Sequence, residues 1–140
     1  MQIDETAAVA YLCPPANNKS YKHDISEQWH TCWDFGVANG FRCSFVKEYD
    51  ADAGVSVAKR WHLRELLYDV IRNEDRWWNK LIVESPECLS SSPSEFLAIL
   101  KIFREARIEV IFVSEPELCF PPEKGIRLGF STDRIYRSEL

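Results

Sequence analysis

The sequence has no excess of basic residues: 17 Lys and Arg stand against 22 Asp and Glu, for a net charge of −5. Tight autonomous DNA binding usually rests on neutralising phosphates, so this balance predicts weak, salt-sensitive binding at best. No uncharged apolar run approaches the roughly 20 residues a membrane span needs. Met1-Gln2-Ile3-Asp4-Glu5 has neither a basic region nor a long apolar stretch, which argues against a secretory signal. A cytoplasmic location is the default expectation. No C-x-x-C pair occurs among Cys13, Cys32, Cys43, Cys88 and Cys119, so neither a zinc ribbon nor a thioredoxin-type site is indicated. Internal repeats and low-complexity segments are also missing.

What is present suits one folded domain over residues 1–140. The hydrophobic fraction of 46% is ordinary for a packed chain, and 28% charged residues suit its surface. Residues 7–13 form a short apolar run that reads as a buried strand, and Pro14-Pro15 ends it. A helix is predicted from Asp24, with Glu27 completing a capping box. Ile25, Trp29, Cys32 and Trp33 should face the core, and Asn39-Gly40 should close the helix. Strands are predicted at 41–49, 80–85 and 108–114. Amphipathic helices are predicted at 61–72 and from Pro93 to about Ala106, the latter capped by Ser92. A short edge strand at 126–130 and a short helix near Thr132 complete the reading.

This alternation predicts an α/β fold, a mostly parallel sheet with helices on both faces. Sites in such sheets lie beyond the carboxyl ends of the strands. Here those ends are Cys13-Pro14-Pro15, Glu84 to Cys88, and Ser114-Glu115-Pro116.

Several segments in this order resemble the catalytic domain of the serine recombinases, the resolvase/invertase family. They are Ala8-Val9-Ala10-Tyr11-Leu12, Ile25-Ser26-Glu27-Gln28-Trp29, Asn39-Gly40-Phe41, Asp52-Ala53-Gly54-Val55-Ser56, and Arg60 with Leu63 and Leu66-Leu67. Val83-Glu84-Ser85, Leu89-Ser90, Ser94-Glu95-Phe96-Leu97 and Val110 to Pro116 continue the pattern. The resemblance covers about residues 7–122. It implies strand order 2-1-3-4, with the short edge strand antiparallel.

The resemblance also implies DNA cutting by phosphoryl transfer. In the family, a serine after the first strand attacks a phosphodiester, and arginines neutralise the charge that develops on the phosphate. The matching places depart from that pattern. Cys13 stands where an arginine is expected, and Pro15 where the nucleophile is expected. Glu87 and Cys88 replace an aspartate-arginine pair, and Ser91 replaces a further arginine. Proline has no hydroxyl and cannot attack. Losing a catalytic nucleophile costs on the order of a millionfold, and losing a phosphate-clamping arginine costs roughly a thousandfold or more. Gln28, Asp52 and Arg60 still match family positions and are expected to keep structural roles.

The resemblance therefore implies a catalytically inactive relative that works by binding a protein, either an active recombinase or a second copy. No cofactor is expected, and DNA binding should be weak or indirect. The family's separate DNA-binding domain is not expected in the near-neutral stretch after Pro122. One alternative is a recombinase whose nucleophile has moved to Ser20 or Ser90. Another is a redox or metal module built on Cys13 and Cys88, with Glu87 nearby.

Two further groups have a functional and a plain reading. His23, His30 and Cys32 could suggest zinc, but no fourth ligand is evident. Trp77-Trp78 with Arg72, Arg76 and Lys80 could form a stacking patch for single-stranded nucleic acid. Glu74 and Asp75 interrupt that charge, which favours a packed loop. At the vacated site, Arg60 is expected to pair with Asp52 or Glu87 in place of a phosphate.

Overall fold

A computed structural model of the chain describes residues 4–16, 25–49, 51–72 and 76–115, together with a short backbone pairing at 119–120. Strand β1 (Ala7–Leu12) is buried along its whole length. It sits between β2 (Arg42–Lys47) and β3 (Lys80–Val83), pairing in parallel with both. Strand β4 (Glu109–Phe112) continues the parallel sheet beyond β3. The parallel strands thus run in the order β2-β1-β3-β4, as expected from the sequence. A two-residue strand, β5 (Cys119–Phe120), pairs antiparallel with β4. The edge strand expected at 126–130, the tail helix near Thr132 and the Asp24 cap lie outside the described residues.

Helix α1 (Ile25–Asn39) covers one face of the sheet. Helices α2 (Trp61–Arg72) and α3 (Pro93–Glu105) cover the other. The alternation along β1 divides the two cores. Ala7, Val9 and Tyr11 join the larger core with Leu63, Leu67, Phe96, Leu100 and Phe103. Ala8, Ala10 and Leu12 join the smaller one with Cys32 and Ile82. Among the described residues, no helix is long and apolar enough to cross a membrane.

The local signals account for the helix ends. Gly40 has φ of 74°, and the Phe41 N–H donates to the Gly36 carbonyl at 2.8 Å, closing α1 in a left-handed turn. Ser92 caps α3 by accepting from the Glu95 N–H, and Pro93 fills the first turn. Helix α2 shows the clearest pattern, burying Leu63, Leu66, Leu67 and Val70 on one stripe.

One inward placement needs correction. Trp33 is 44% exposed. It stacks on Trp29, which in turn stacks on Phe45 at the sheet edge. The helix turns Cys32 inward, and the neighbouring position falls outside the covered stripe. Trp77 and Trp78 also separate: Trp78 is buried in the larger core and Trp77 is 45% exposed.

Helix α1 approaches β2 closely at Gly36, where an added Cβ would lie 2.8 Å from the Cys43 sulfur. Gly36→Ala should therefore lower stability by about 1–3 kcal/mol, the usual cost of overpacking. In a Cys43→Ala background most of that loss should vanish. Equal losses in the two backgrounds, measured by chemical denaturation, would contradict this packing account.

Candidate functional site

The loops at the carboxyl ends of β1 and β3 meet the segment that leads into α2. Backbone bonds join all three. The Ala53 N–H donates to the Pro14 carbonyl at 2.8 Å, and the Ser91 N–H donates to the Ala53 carbonyl at 3.1 Å. Gln28 reaches in from α1 and clamps the residue that follows β1. Its Nε2 donates to the Cys13 carbonyl at 2.9 Å, and its Oε1 accepts from the Cys13 N–H at 3.1 Å. A buried amide satisfied in both directions has a fixed orientation. Asp52 pins its own turn by accepting from the Gly54 N–H at 2.8 Å. Both side chains thus hold backbone groups of these loops.

Arg60 caps the start of α2 with its carbonyl, which accepts from the Arg64 N–H. Its side chain turns inward and is fully buried. One terminal nitrogen donates to the Leu89 carbonyl at 2.6 Å, and the other donates to Glu95 Oε1 at 2.8 Å. The partner expected from the sequence was Asp52 or Glu87. Asp52 is instead used in its own turn, and Glu87 is exposed. Glu95, in the first turn of α3, takes the charge. Its other oxygen accepts from the Val57 N–H at 3.0 Å. Burial opposes the charge on Arg60, while Tyr11, Cys13 and Glu95 beside it favour the charged form. Of those three, only Glu95 carries charge at neutral pH.

Of the other positions that depart from the family pattern, Cys13, Pro15 and Cys88 are enclosed. Pro15 is buried. Cys13 and Cys88 are buried free thiols. Burial raises the Cys13 thiol above its ordinary range, although Tyr11 and Arg60 pull the other way. Burial pushes Cys88 up to about 12, with nearby Glu84 and Cys13 adding to the rise. Both thiols are therefore protonated at neutral pH, and a thiol is a poor nucleophile and metal ligand. Ser91 is exposed. Ser90 is 7% exposed, and its hydroxyl donates to Glu95 Oε1 at 3.0 Å and accepts from the Ser92 N–H at 3.1 Å. Ser20 and His23 lie outside the described residues.

The other singled-out residues do not converge. His30 is exposed and packs edge-on against Trp29, while Cys32 is buried in the smaller core. Arg72 lies over the Tyr68 ring, Arg76 donates to the Ala106 carbonyl, and Lys80 donates to the Glu5 carbonyl. Among the described residues, none of these cations lies over the Trp77 ring.

Sequence reasoning missed the buried carboxylate of Glu48, just after β2. It accepts from the Tyr11 hydroxyl at 2.8 Å and from the N–H groups of His62 and Leu63 at 3.0 Å each. Its carboxylate thereby caps α2 from another element. His62 Nδ1 lies 3.1 Å from the same carboxylate. Burial opposes the charge on Glu48, but the bonds from His62, Tyr11 and Leu63 outweigh it and hold the carboxyl below its usual range.

With this geometry in hand, two solved structures are similar to the chain. The N-terminal catalytic domain of TP901-1 integrase matches with a TM-score of 0.65 and 19% identity over 79% of each chain. A resolvase family site-specific recombinase from Streptococcus pneumoniae matches with a TM-score of 0.67 and 15% identity, over 96% of this chain and 90% of that one. The chain has the serine-recombinase catalytic-domain fold. No protein-family sequence model and no curated protein sequence matches it. The fold correspondence agrees with the resemblance read from the sequence.

Two outcomes follow from the buried arginine and the buried carboxylate. Arg60→Ala should lower stability by about 3–5 kcal/mol, because it leaves Glu95 without its cation. Thermal or chemical denaturation checks this, and an unchanged melting temperature would contradict it. Glu48→Gln should cost about 1–2 kcal/mol at pH 7, the scale of a charge-assisted hydrogen bond. A carboxyl held below its unfolded value stabilises above that value, here 4.5, and the benefit is lost as pH falls through the folded value. The difference between wild type and Glu48→Gln should therefore shrink below about pH 4.5. A constant difference from pH 7 to pH 3 would contradict the assignment.

Proposed function

We propose that this chain is a non-catalytic protein built on the recombinase scaffold. It acts by binding another protein, either an active recombinase or a second copy of itself, in a DNA-recombination or mobile-element setting. The observation that carries this reading is the buried Pro15 after β1, at the place where the resemblance puts the attacking serine. Around it, Cys13 and Cys88 stand where phosphate-binding arginines are expected, and both are buried. Arg60, the arginine that does match, is already bound to Glu95 and the Leu89 carbonyl.

The displaced-serine alternative has less support. The Ser90 hydroxyl is enclosed and engaged with Glu95 and the backbone of Ser92, so it is not presented to a phosphodiester. The redox or metal alternative needs ionised thiols, and burial disfavours ionisation at Cys13 and Cys88. A pair of protonated thiols fits a filled, apolar former site better.

The test is incubation with supercoiled plasmid carrying recombination sites, followed by denaturation. The plasmid should remain uncut and no protein should be linked to it. A DNA adduct at Ser20 or Ser90, mapped by mass spectrometry, would overturn this reading.

A further inference from the structure

The outward face of α2 carries a pattern that neither the fold nor the vacated site requires. Trp61, Glu65, Tyr68 and Arg72 follow one another at intervals of four, three and four, so they form one seam along the helix. The seam lies opposite the stripe of Leu63, Leu66, Leu67 and Val70 that enters the core. Trp61 is 57% exposed and Tyr68 44% exposed, and Glu65 and Arg72 are exposed as well. Beside the seam, Ile71 is 62% exposed.

The charges on this face are arranged unusually. Arg64 lies 5.2 Å from the centre of the Trp61 ring, and Arg72 lies 4.9 Å from the centre of Tyr68. Neither arginine forms an ion pair among the described residues, although Glu65 and Asp69 share the helix. Each guanidinium carbon thus lies over a ring, a contact that helps hold the aromatic side chains in place and lowers the entropy lost when they are covered. Arg64 Nη1 also donates to the Ala58 carbonyl at 3.4 Å, whereas Arg72 is exposed and its guanidinium can reach an acceptor. A nucleic acid is a poor occupant, because Glu65 lies within the seam, Asp69 lies beside it, and the chain carries a net charge of −5.

A second copy fits. Consider two α2 helices packed antiparallel about a two-fold axis that passes between positions 66 and 67. Trp61 of one copy then lies level with Arg72 of the other, and Glu65 lies level with Tyr68. Arg72 and Glu65 are about 6 Å apart along the helix axis at that register, within reach of both long side chains. Each arginine can therefore stack on the opposite tryptophan and pair with the opposite glutamate, while each tyrosine hydroxyl can donate to a glutamate. The pattern is self-complementary, as a two-fold interface demands. It is also rich in Trp, Tyr and Arg, the side chains that dominate interface energetics.

We propose that the chain forms an antiparallel homodimer through the α2 face, with Arg72 of each copy held between Trp61 and Glu65 of the other. This extends the protein-binding reading above by naming a surface and a partner, and it is tested without DNA. Sedimentation equilibrium of the full chain should give twice the chain mass of 16.3 kDa. Glu65→Arg and Arg72→Glu should each weaken the dimer by about tenfold or more, because each sets like charges against one another. The E65R/R72E double variant should recover the dimer, and so should an equimolar mixture of the two single variants. Circular dichroism and melting curves identify any variant that fails to fold, and the mixture keeps the test open if the double variant does. A wild-type monomer at every concentration, a dimer that ignores the single substitutions, or folded variants that fail to recover by exchange would each overturn the proposal. DNA cleavage by an intact dimer would instead overturn the non-catalytic reading and leave this surface standing.

Discussion

A guanidinium with no solvent exposure must have its charge met inside the fold, and Arg60 is the residue on which the site depends. Leaving such a charge unpaired in the interior costs several kcal/mol or more. Glu95 neutralises it, and the Leu89 carbonyl takes a second donor. Nε is the one buried nitrogen of the group without a hydrogen-bond partner. These contacts tie the start of α2 to the loop after β3 and to the first turn of α3. Glu95 also holds the turn before α2 through the Val57 N–H, so one carboxylate fixes both sides of the arginine. The arrangement has the logic of a binding pocket whose ligand has been replaced by part of the chain.

The remaining changes around the site agree with that replacement. A pocket built to hold a phosphate needs exposed donors and room for the ligand. Here Cys13, Pro15 and Cys88 are buried, and Gln28 spends both ends of its amide on the Cys13 backbone. Tyr11 points its hydroxyl at Glu48, and burial raises its pKa, with Cys13 and Glu48 adding to the rise while Arg60 pulls the other way. Each polar group is directed at another part of the protein. These bonds hold the three loops in one junction, and the outer face of α2 is exposed on that side of the sheet.

Much of the fold was legible because the patterns that specify it are local. The apolar run of β1, the 3.6-residue stripe of α2, the Ser92-Pro93 start of α3 and the Asn39-Gly40 stop of α1 each act within a few residues. The site was legible only in part. Gln28 and Asp52 bond to the adjacent loop and to their own turn, contacts close enough in the chain to be anticipated. The partner of Arg60 was not, because Glu95 is 35 residues away on another element. A local signal even pointed elsewhere: Glu95 stands at the capping-box position after Ser92, where it would reach back to the Ser92 N–H. The Ser90 hydroxyl satisfies that N–H instead, which releases Glu95 toward Arg60. Glu48 was hidden for a similar reason, because a carboxylate at a strand end shows no sign of capping a helix 14 residues on. Trp33 was misplaced by periodicity alone, since α1 covers a sheet edge too narrow to bury all its aromatic residues.

The central claim of the proposed function is that Glu95 and the Leu89 carbonyl meet the charge of Arg60 in place of a bound anion. It is tested most directly by the melting temperature in the presence of rising inorganic phosphate and of a short DNA duplex, with sodium chloride matched for ionic strength. A ligand that binds only the folded state raises the melting temperature in proportion to its occupancy. The account predicts no rise beyond the matched salt control. A dose-dependent rise that disappears in a folded Arg60→Lys variant would show that Arg60 still binds an anion, and would contradict it.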